Sequence, residues 1–265
     1  MKIGALIPAR LQSERLPRKA LLEICGRPMI YHLLDRVVAC SYISTPKDVV
    51  VCTTKAAEDT PLVEAVTRYG ASVFRGDSED IIRRFADAIE AFGFDAVVQA
   101  DGDDPLSATE YMDLTTQTIL TDKELDIVTV SGLPLGIATK CFTVAAMKKV
   151  VGAYQTKQND TGFIYFFTRS GICKHRDLKI DKDEHKHDQA RLTLDYEVDL
   201  ELFRSIFEAL YKENEIFDLA TVVSFLNAHP DLVELNRHVD EEYWQRTRDK
   251  AQLTFRASDG SLKDI

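Results

Sequence analysis

Between residues 3 and 130, short apolar runs alternate with longer stretches of helical periodicity, and no other feature of the sequence limits the fold as much. Ile3–Ile7, Asp48–Thr53 (DVVVCT), Ala71–Phe74, Asp95–Ala100 (DAVVQA) and Asp126–Val130 read as strands. Their runs are continuously apolar, not alternating, which suits strands covered on both faces. Between them lie helical stretches. In Pro28–Cys40 the residues Ile30, Leu33, Leu34 and Val37 recur at helical spacing, and Pro28 suits a first turn. Thr60–Tyr69 is stopped by Gly70, Ser78–Phe92 is ended by Gly93, and Ser107–Leu120 follows. This rhythm predicts an α/β fold: a mostly parallel sheet with helices on both faces.

The rhythm breaks over residues 131–190. Turn residues (Gly132, Pro134, Gly136), an aromatic group (Phe163, Tyr165, Phe166, Phe167) and a charged stretch, Asp177–Asp188, read as an inserted excursion from the sheet. Within it, His185 and His187 belong to a flexible charged loop more readily than to a metal site. Regularity returns with a strand at Arg191–Asp195, a helix at Glu197–Tyr211 and another at Ala220–Asn227, stopped by Pro230. Trp244 reads as an anchor for a polar tail, residues 247–265, expected to be loosely held. Residues 1–246 thus read as a single domain.

Charge narrows the function classes. The chain of 265 residues carries 33 Lys+Arg against 43 Asp+Glu, a formal charge of −10, which argues against a general nucleic-acid binder. No apolar run reaches the roughly 18 residues of a membrane span, and the N-terminal run is too short for a secretion signal. Five scattered cysteines without a CxxC pair fit reduced thiols and a cytoplasmic location. Yet residues 1–40 hold seven basic side chains against three acidic ones, a basic island that marks an anion site.

Most of that island lies in the loop leaving the first strand, Pro8-Ala9-Arg10-Leu11-Gln12-Ser13-Glu14-Arg15-Leu16-Pro17-Arg18-Lys19. Ligands of parallel sheets bind outside the carboxyl ends of strands. A polyphosphate there calls for forked Arg contacts and a Lys point charge, which Arg10, Arg15 and Lys19 offer. The plainer reading is a solvated basic loop. At the end of another strand stands Asp101-Gly102-Asp103-Asp104-Pro105. Three carboxylates so close repel one another, and a hard divalent cation such as Mg²⁺ relieves that. The plainer reading is a turn that caps the next helix. Asp195 is either a second carboxylate for the same cation or a helix N-cap.

These segments together resemble the sugar-acid cytidylyltransferases. The pattern Ala-Arg-x-x-Ser-x-Arg-Leu-Pro-x-Lys is followed by Gly26-Arg27-Pro28-Met29-Ile30. It continues through Arg75–Asp80, Gly102–Leu106, Leu133–Gly136, Arg191–Asp195, Asp199–Leu202 and His229–Leu232. It is similar to the 3-deoxy-manno-octulosonate and acylneuraminate enzymes, and most of all to the spore coat polysaccharide biosynthesis protein F family. The resemblance implies a Rossmann-like fold of the nucleotide-diphospho-sugar transferase type. CTP would be held by Pro8, Ala9, Arg10, Ser13, Lys19, Asp101 and Gly102, and Mg²⁺ by Asp103 and Asp195. Residues 131–190 would supply the sugar pocket and a homodimer interface. Three positions depart from the pattern: Asp101 stands where the octulosonate enzymes carry Gln, Lys140 stands where the nearer family carries Glu, and Gln158–Tyr165 lacks the family's His.

The implied reaction is attack by a hydroxyl of a 2-keto sugar acid on the α-phosphorus of CTP, with Arg10, Arg15 and Lys19 stabilising charge on the phosphates and pyrophosphate leaving. Two alternatives remain open from the residues: a glycosyltransferase using Asp101-Gly102-Asp103 as a metal-binding Asp-x-Asp, and a non-catalytic nucleotide-binding scaffold.

Overall fold

A computed structural model describes residues 1–265. The first half follows the strand–helix order: β1 (Ile3–Pro8), a minute ribbon of β2 (Glu23–Ile24) and β3 (Arg27–Pro28), α1 (Met29–Val38), β4 (Val49–Thr54) and α2 (Thr60–Tyr69). Then come β5 (Ser72–Gly76), α3 (Ile81–Phe92), β6 (Ala96–Gln99), α4 (Thr109–Thr121) and β7 (Ile127–Ser131). Gly70 and Gly93 close α2 and α3 in left-handed conformation, which a Cβ would disfavour. Helix α3 starts later than its periodicity suggests, because the Asp80 carboxylate accepts the Arg83 N–H and sets its first turn.

β8 (Lys140–Thr143), α5 (Val144–Ala153), the single turn α6 (Tyr165–Thr168), β9 (His175–Lys179), α7 (Glu197–Leu210), α8 (Leu219–Ala228), α9 (Pro230–Glu234) and α10 (Asp240–Lys250) follow. A hairpin of β10 (Thr254–Arg256) and β11 (Leu262–Asp264) ends the chain. The main sheet has seven strands in the order β5-β4-β1-β6-β8-β7-β9. All its neighbours are parallel except β8, which runs antiparallel to both β6 and β7. The chain leaves β1 toward β4 and β5, then returns to β6 on its other side. The loops that follow β1 and β6 therefore diverge and open a crevice.

Alternate residues of each strand feed two separate cores. Ala5, Ile7, Val49, Val51, Ala96 and Val98 face α1, α2, α4, α7 and α8. Leu6, Val50 and Val97 face α3, α5, α6 and the terminal hairpin. Each face buries enough aliphatic and aromatic surface to fix the sheet between helical layers.

Six expectations need correction. Residues 131–190 are not wholly an excursion, since β8 and β9 join the main sheet. Arg191–Asp195 is not a strand: its single ladder contact is a parallel bridge from Arg191 to Leu135, and its remaining backbone bonds go to loops. Pro230 starts a helix as well as ending one, because a first-turn residue needs no N–H. The tail is docked by Leu253 and Phe255, both buried, while Trp244 is 39% exposed and belongs to neither core. His185 is buried, with Nδ1 2.8 Å from the Tyr111 hydroxyl, so it belongs to the packing and not to a flexible loop.

Candidate active site

The loop after β1 is held from below. Buried Asp59 accepts the Leu11 N–H at 2.7 Å and the Thr53 hydroxyl at 3.0 Å, and the Ala9 N–H reaches the Cys52 carbonyl at 3.2 Å. Burial works against charge on Asp59, but these donors outweigh it and keep its pKa below the ordinary range. Asp59 is a supporting residue that no motif in the sequence pointed to.

The acidic turn after β6 presses against that loop. A Cβ at Gly102 would lie 2.1 Å from the Pro8 carbonyl oxygen, so only glycine lets the two approach. The segment 191–195 then threads past both. Leu192 N–H donates to Leu135 and Leu194 N–H to the Asp103 carbonyl at 2.9 Å. Gly136, at φ +90°, gives it passage: a Cβ there would meet the Leu192 oxygen at 2.0 Å.

The result is one point of convergence. Lys19 Nζ lies 2.6 Å from Asp103 Oδ2 and 2.9 Å from Asp195 Oδ1, and Arg15 pairs with the same Asp195 oxygen. Burial disfavours the charges, yet mutual attraction prevails: Lys19 is raised above its ordinary range and Asp195 falls to about 2. Asp103 and Asp104 are pushed up, first by burial and then by neighbouring carboxylates. Asp101 pairs with Lys140 at 2.6 Å and accepts from Gln99 at 2.8 Å, so two of the positions that depart from the family pattern neutralise each other.

Neither plainer reading survives. Helix α4 has no side-chain cap, so the turn at 101–104 does not serve it. The first turn of α7 is served by Asp199, whose Oδ2 accepts both the Asp195 and Tyr196 N–H groups at 2.8 Å. Asp195 is free for Lys19, Arg15 and Arg191. Asp199 also receives Asn236 at 2.8 Å and buried Arg191 at 3.3 Å. This network orients Asp195; in the sequence Asp199 stood only as the start of the matched segment Asp199–Leu202, with no role attached.

Arg15, Lys19, Asp103, Asp104, Lys140 and Asp195 line a cleft of about 550 Å³. Pro8, Ala9, Arg10, Ser13, Asp101 and Gly102 line it too. Arg10 does not share the carboxylates of the other two cations; it pairs with Asp160, which also lines the cleft, at 2.7 Å. Ser13 is turned inward on its own loop, accepting the Leu16 N–H at 3.4 Å. Asp103 and Asp195, brought together by Lys19, offer the carboxylate oxygens that a hard divalent cation takes. No group of three or more His, Cys, Asp or Glu is gathered anywhere, so phosphate and water oxygens would have to complete such a shell.

The family model described as "Cytidylyltransferase" matches residues 4–223. The chain belongs to the cytidylyltransferase family. Among relatives, the 3-deoxy-manno-octulosonate cytidylyltransferase of Desulfosudis oleivorans is 31% identical over 194 residues, 71% of each chain. The spore coat polysaccharide biosynthesis protein SpsF of Bacillus subtilis is 24% identical over 228 residues, 85% of this chain and 94% of that one. A cytidylyltransferase structure from Leptospira borgpetersenii superposes with a TM-score of 0.79 at 24% identity, covering 88% of this chain and 97% of that one, and so shares its fold. Membership decides against the glycosyltransferase and scaffold readings. No helix of this cytidylyltransferase is long and apolar enough to cross a membrane.

Proposed function

We propose that this cytidylyltransferase transfers CMP from CTP to a 2-keto sugar acid, with Mg²⁺ and release of pyrophosphate. The observation that carries the reading is the shared ammonium. The cationic loop of β1 and the acidic tips at 103 and 195 meet within 2.9 Å of one atom, Lys19 Nζ. Phosphoryl transfer needs positive charge and a metal seat at one place, with little covalent chemistry from the protein.

In this reading Pro8, Ala9, Ser13 and Gly102 shape the wall against which the nucleotide lies. Asp101, tied to Lys140, faces the same space without net charge. Arg15 and Lys19 turn from the carboxylates to the phosphates as these arrive, and Arg10 approaches from the Asp160 side. Asp103 and Asp195 would hold Mg²⁺, which when bound supplies charge stabilisation on phosphate oxygens. Lys140 and the segment at 160–165 face the acceptor side. The five unpaired cysteines accord with a cytoplasmic setting, and residues 131–190 are the proposed homodimer surface.

The test follows pyrophosphate in the presence of Mg²⁺, CTP and a panel of 2-keto sugar acids. Release is expected only when both CTP and an acceptor are present. Asp103→Asn is expected to lose about a hundredfold or more in rate while keeping its fold. Release that survives this substitution, or turnover of no acceptor carrying a carboxylate, would sink the reading.

A further inference from the structure

Helix α10 lies beyond residues 4–223, the span of the family match, and is built unlike the other long helices. It buries none of its own residues. The chain before it is fixed in one core through Val233, and the chain after it in the other core through Leu253 and Phe255. The helix therefore crosses from one side of the sheet to the other, its ends fixed by apolar packing and its length held by polar contacts, among them the Tyr196 hydroxyl to Glu242 at 3.2 Å and Arg191 over the Tyr243 ring at 4.3 Å.

Its inner face is not random. Tyr243, Arg246, Thr247 and Lys250 all line the cleft, and their spacing of three and four residues puts them on one stripe. Two cations on that stripe meet the phosphate loop. Arg246 pairs with Glu14, and Lys250 Nζ is 3.8 Å from the other oxygen of the same carboxylate. Glu14 sits between Arg10 and Arg15 in sequence and is exposed, so nothing but these cations holds it. An acidic side chain that draws two cations of α10, with Arg10 also acting on it, stands where an anion would be favoured.

We propose that α10 is a strap across the cleft whose Arg246 and Lys250 bind the outer phosphates of the nucleoside triphosphate, Glu14 occupying them until that anion arrives. The choice of phosphate over an acceptor carboxylate follows from Glu14, which brings both cations onto the loop that carries Arg10 and Arg15. The inference rests on the cleft being the CTP site, and it adds two binding residues to that site. On binding, the Glu14 pairs break and the same N–H donors pass to phosphate oxygens. No covalent bond changes.

The chain has a single tryptophan, Trp244, on the strap itself and lining the cleft. Its fluorescence reports the strap directly. Inorganic tripolyphosphate, CTP, CMP and 3-deoxy-manno-octulosonate are titrated into wild type, Arg246→Gln/Lys250→Gln, Glu14→Gln and Arg248→Gln, with calorimetry as the second measurement. Arg248 lies off the lining stripe. For wild type, tripolyphosphate and CTP are expected to change the fluorescence. The double variant is expected to bind both weaker by about tenfold for each charge-assisted bond lost, with CMP unaffected. Glu14→Gln is expected to bind tripolyphosphate tighter than wild type, and Arg248→Gln to match wild type. The proposal is overturned if the double variant binds tripolyphosphate within about twofold of wild type, if CMP or the sugar acid is the ligand weakened, or if Glu14→Gln also loses affinity. Tripolyphosphate binding without CTP binding in wild type would leave the strap standing and remove the nucleotide reading instead.

Discussion

Lys19→Met removes the charge that joins the two acidic tips and leaves a side chain of similar length. Asp195 is 4% exposed at its side chain, so its electrostatics are little screened. Its carboxyl falls from 3.8 to about 2 in the folded chain, worth roughly 2 to 3 kcal/mol at neutral pH. Burial opposes that fall, and Lys19 is the largest contributor overcoming it, ahead of Arg15. Arg15 and Arg191 remain in the variant, so the cost is expected to be about 2 kcal/mol at pH 7, a drop of roughly 4 to 8 °C in Tm. The sign with pH follows from a depressed carboxylate. Its contribution is complete above the unfolded value of 3.8 and disappears as pH falls through about 2. Denaturant melts at pH 7, 5, 4, 3 and 2 should show a steady gap between wild type and variant above pH 5 that closes toward pH 2. A gap that is absent at pH 7, or that persists undiminished at pH 2, would refute the view that Lys19 is bound to charged Asp195.

Gly136→Ala puts a methyl group 2.0 Å from the Leu192 oxygen at a φ of +90°. It is expected to cost about 1 to 3 kcal/mol, from the strained backbone and the displaced segment, and to weaken CTP binding in calorimetry, because Asp195 rides on that segment. Phe255→Ala is expected to cost about 3 kcal/mol or more and to speed proteolysis after α10, while leaving the pair of Lys19 with Asp103 intact. Unchanged cleavage would mean that the hairpin is not what secures the chain end.

The parts legible in the sequence were those with a local cause. Gly70 and Gly93 end their helices by conformation alone, and the continuous apolar runs of β4 and β6 could be covered only on both faces. The loop at 8–19 was legible because Arg10, Arg15 and Lys19 are expensive to gather without an anion. What stayed hidden depends on distant pairing. Leu192 and Leu194 alternate like a strand, but their N–H partners, Leu135 and the Asp103 carbonyl, lie in loops that no periodicity predicts. β8 is short, and its reversed direction is set by its neighbours and not by its composition. Asp59 and Asn236 carry no motif, and Asp199 fell within a matched segment without a role; only the fold turns them toward the loop and Asp195. Arg10 was grouped with two cations whose carboxylates it does not share, its own partner being Asp160.

The pairing of β1 with β6 sets Ile3 opposite Ala96 and Leu6 opposite Gln99. Sliding β6 by one position would send Val97 to the helices that now receive Val98, exchanging methyl groups between two interiors already full. Misalignment by a single residue is thus penalised on both sides at once. The spacing between the two turns that follow these strands inherits that discreteness: it can be kept or lost, but not gradually stretched.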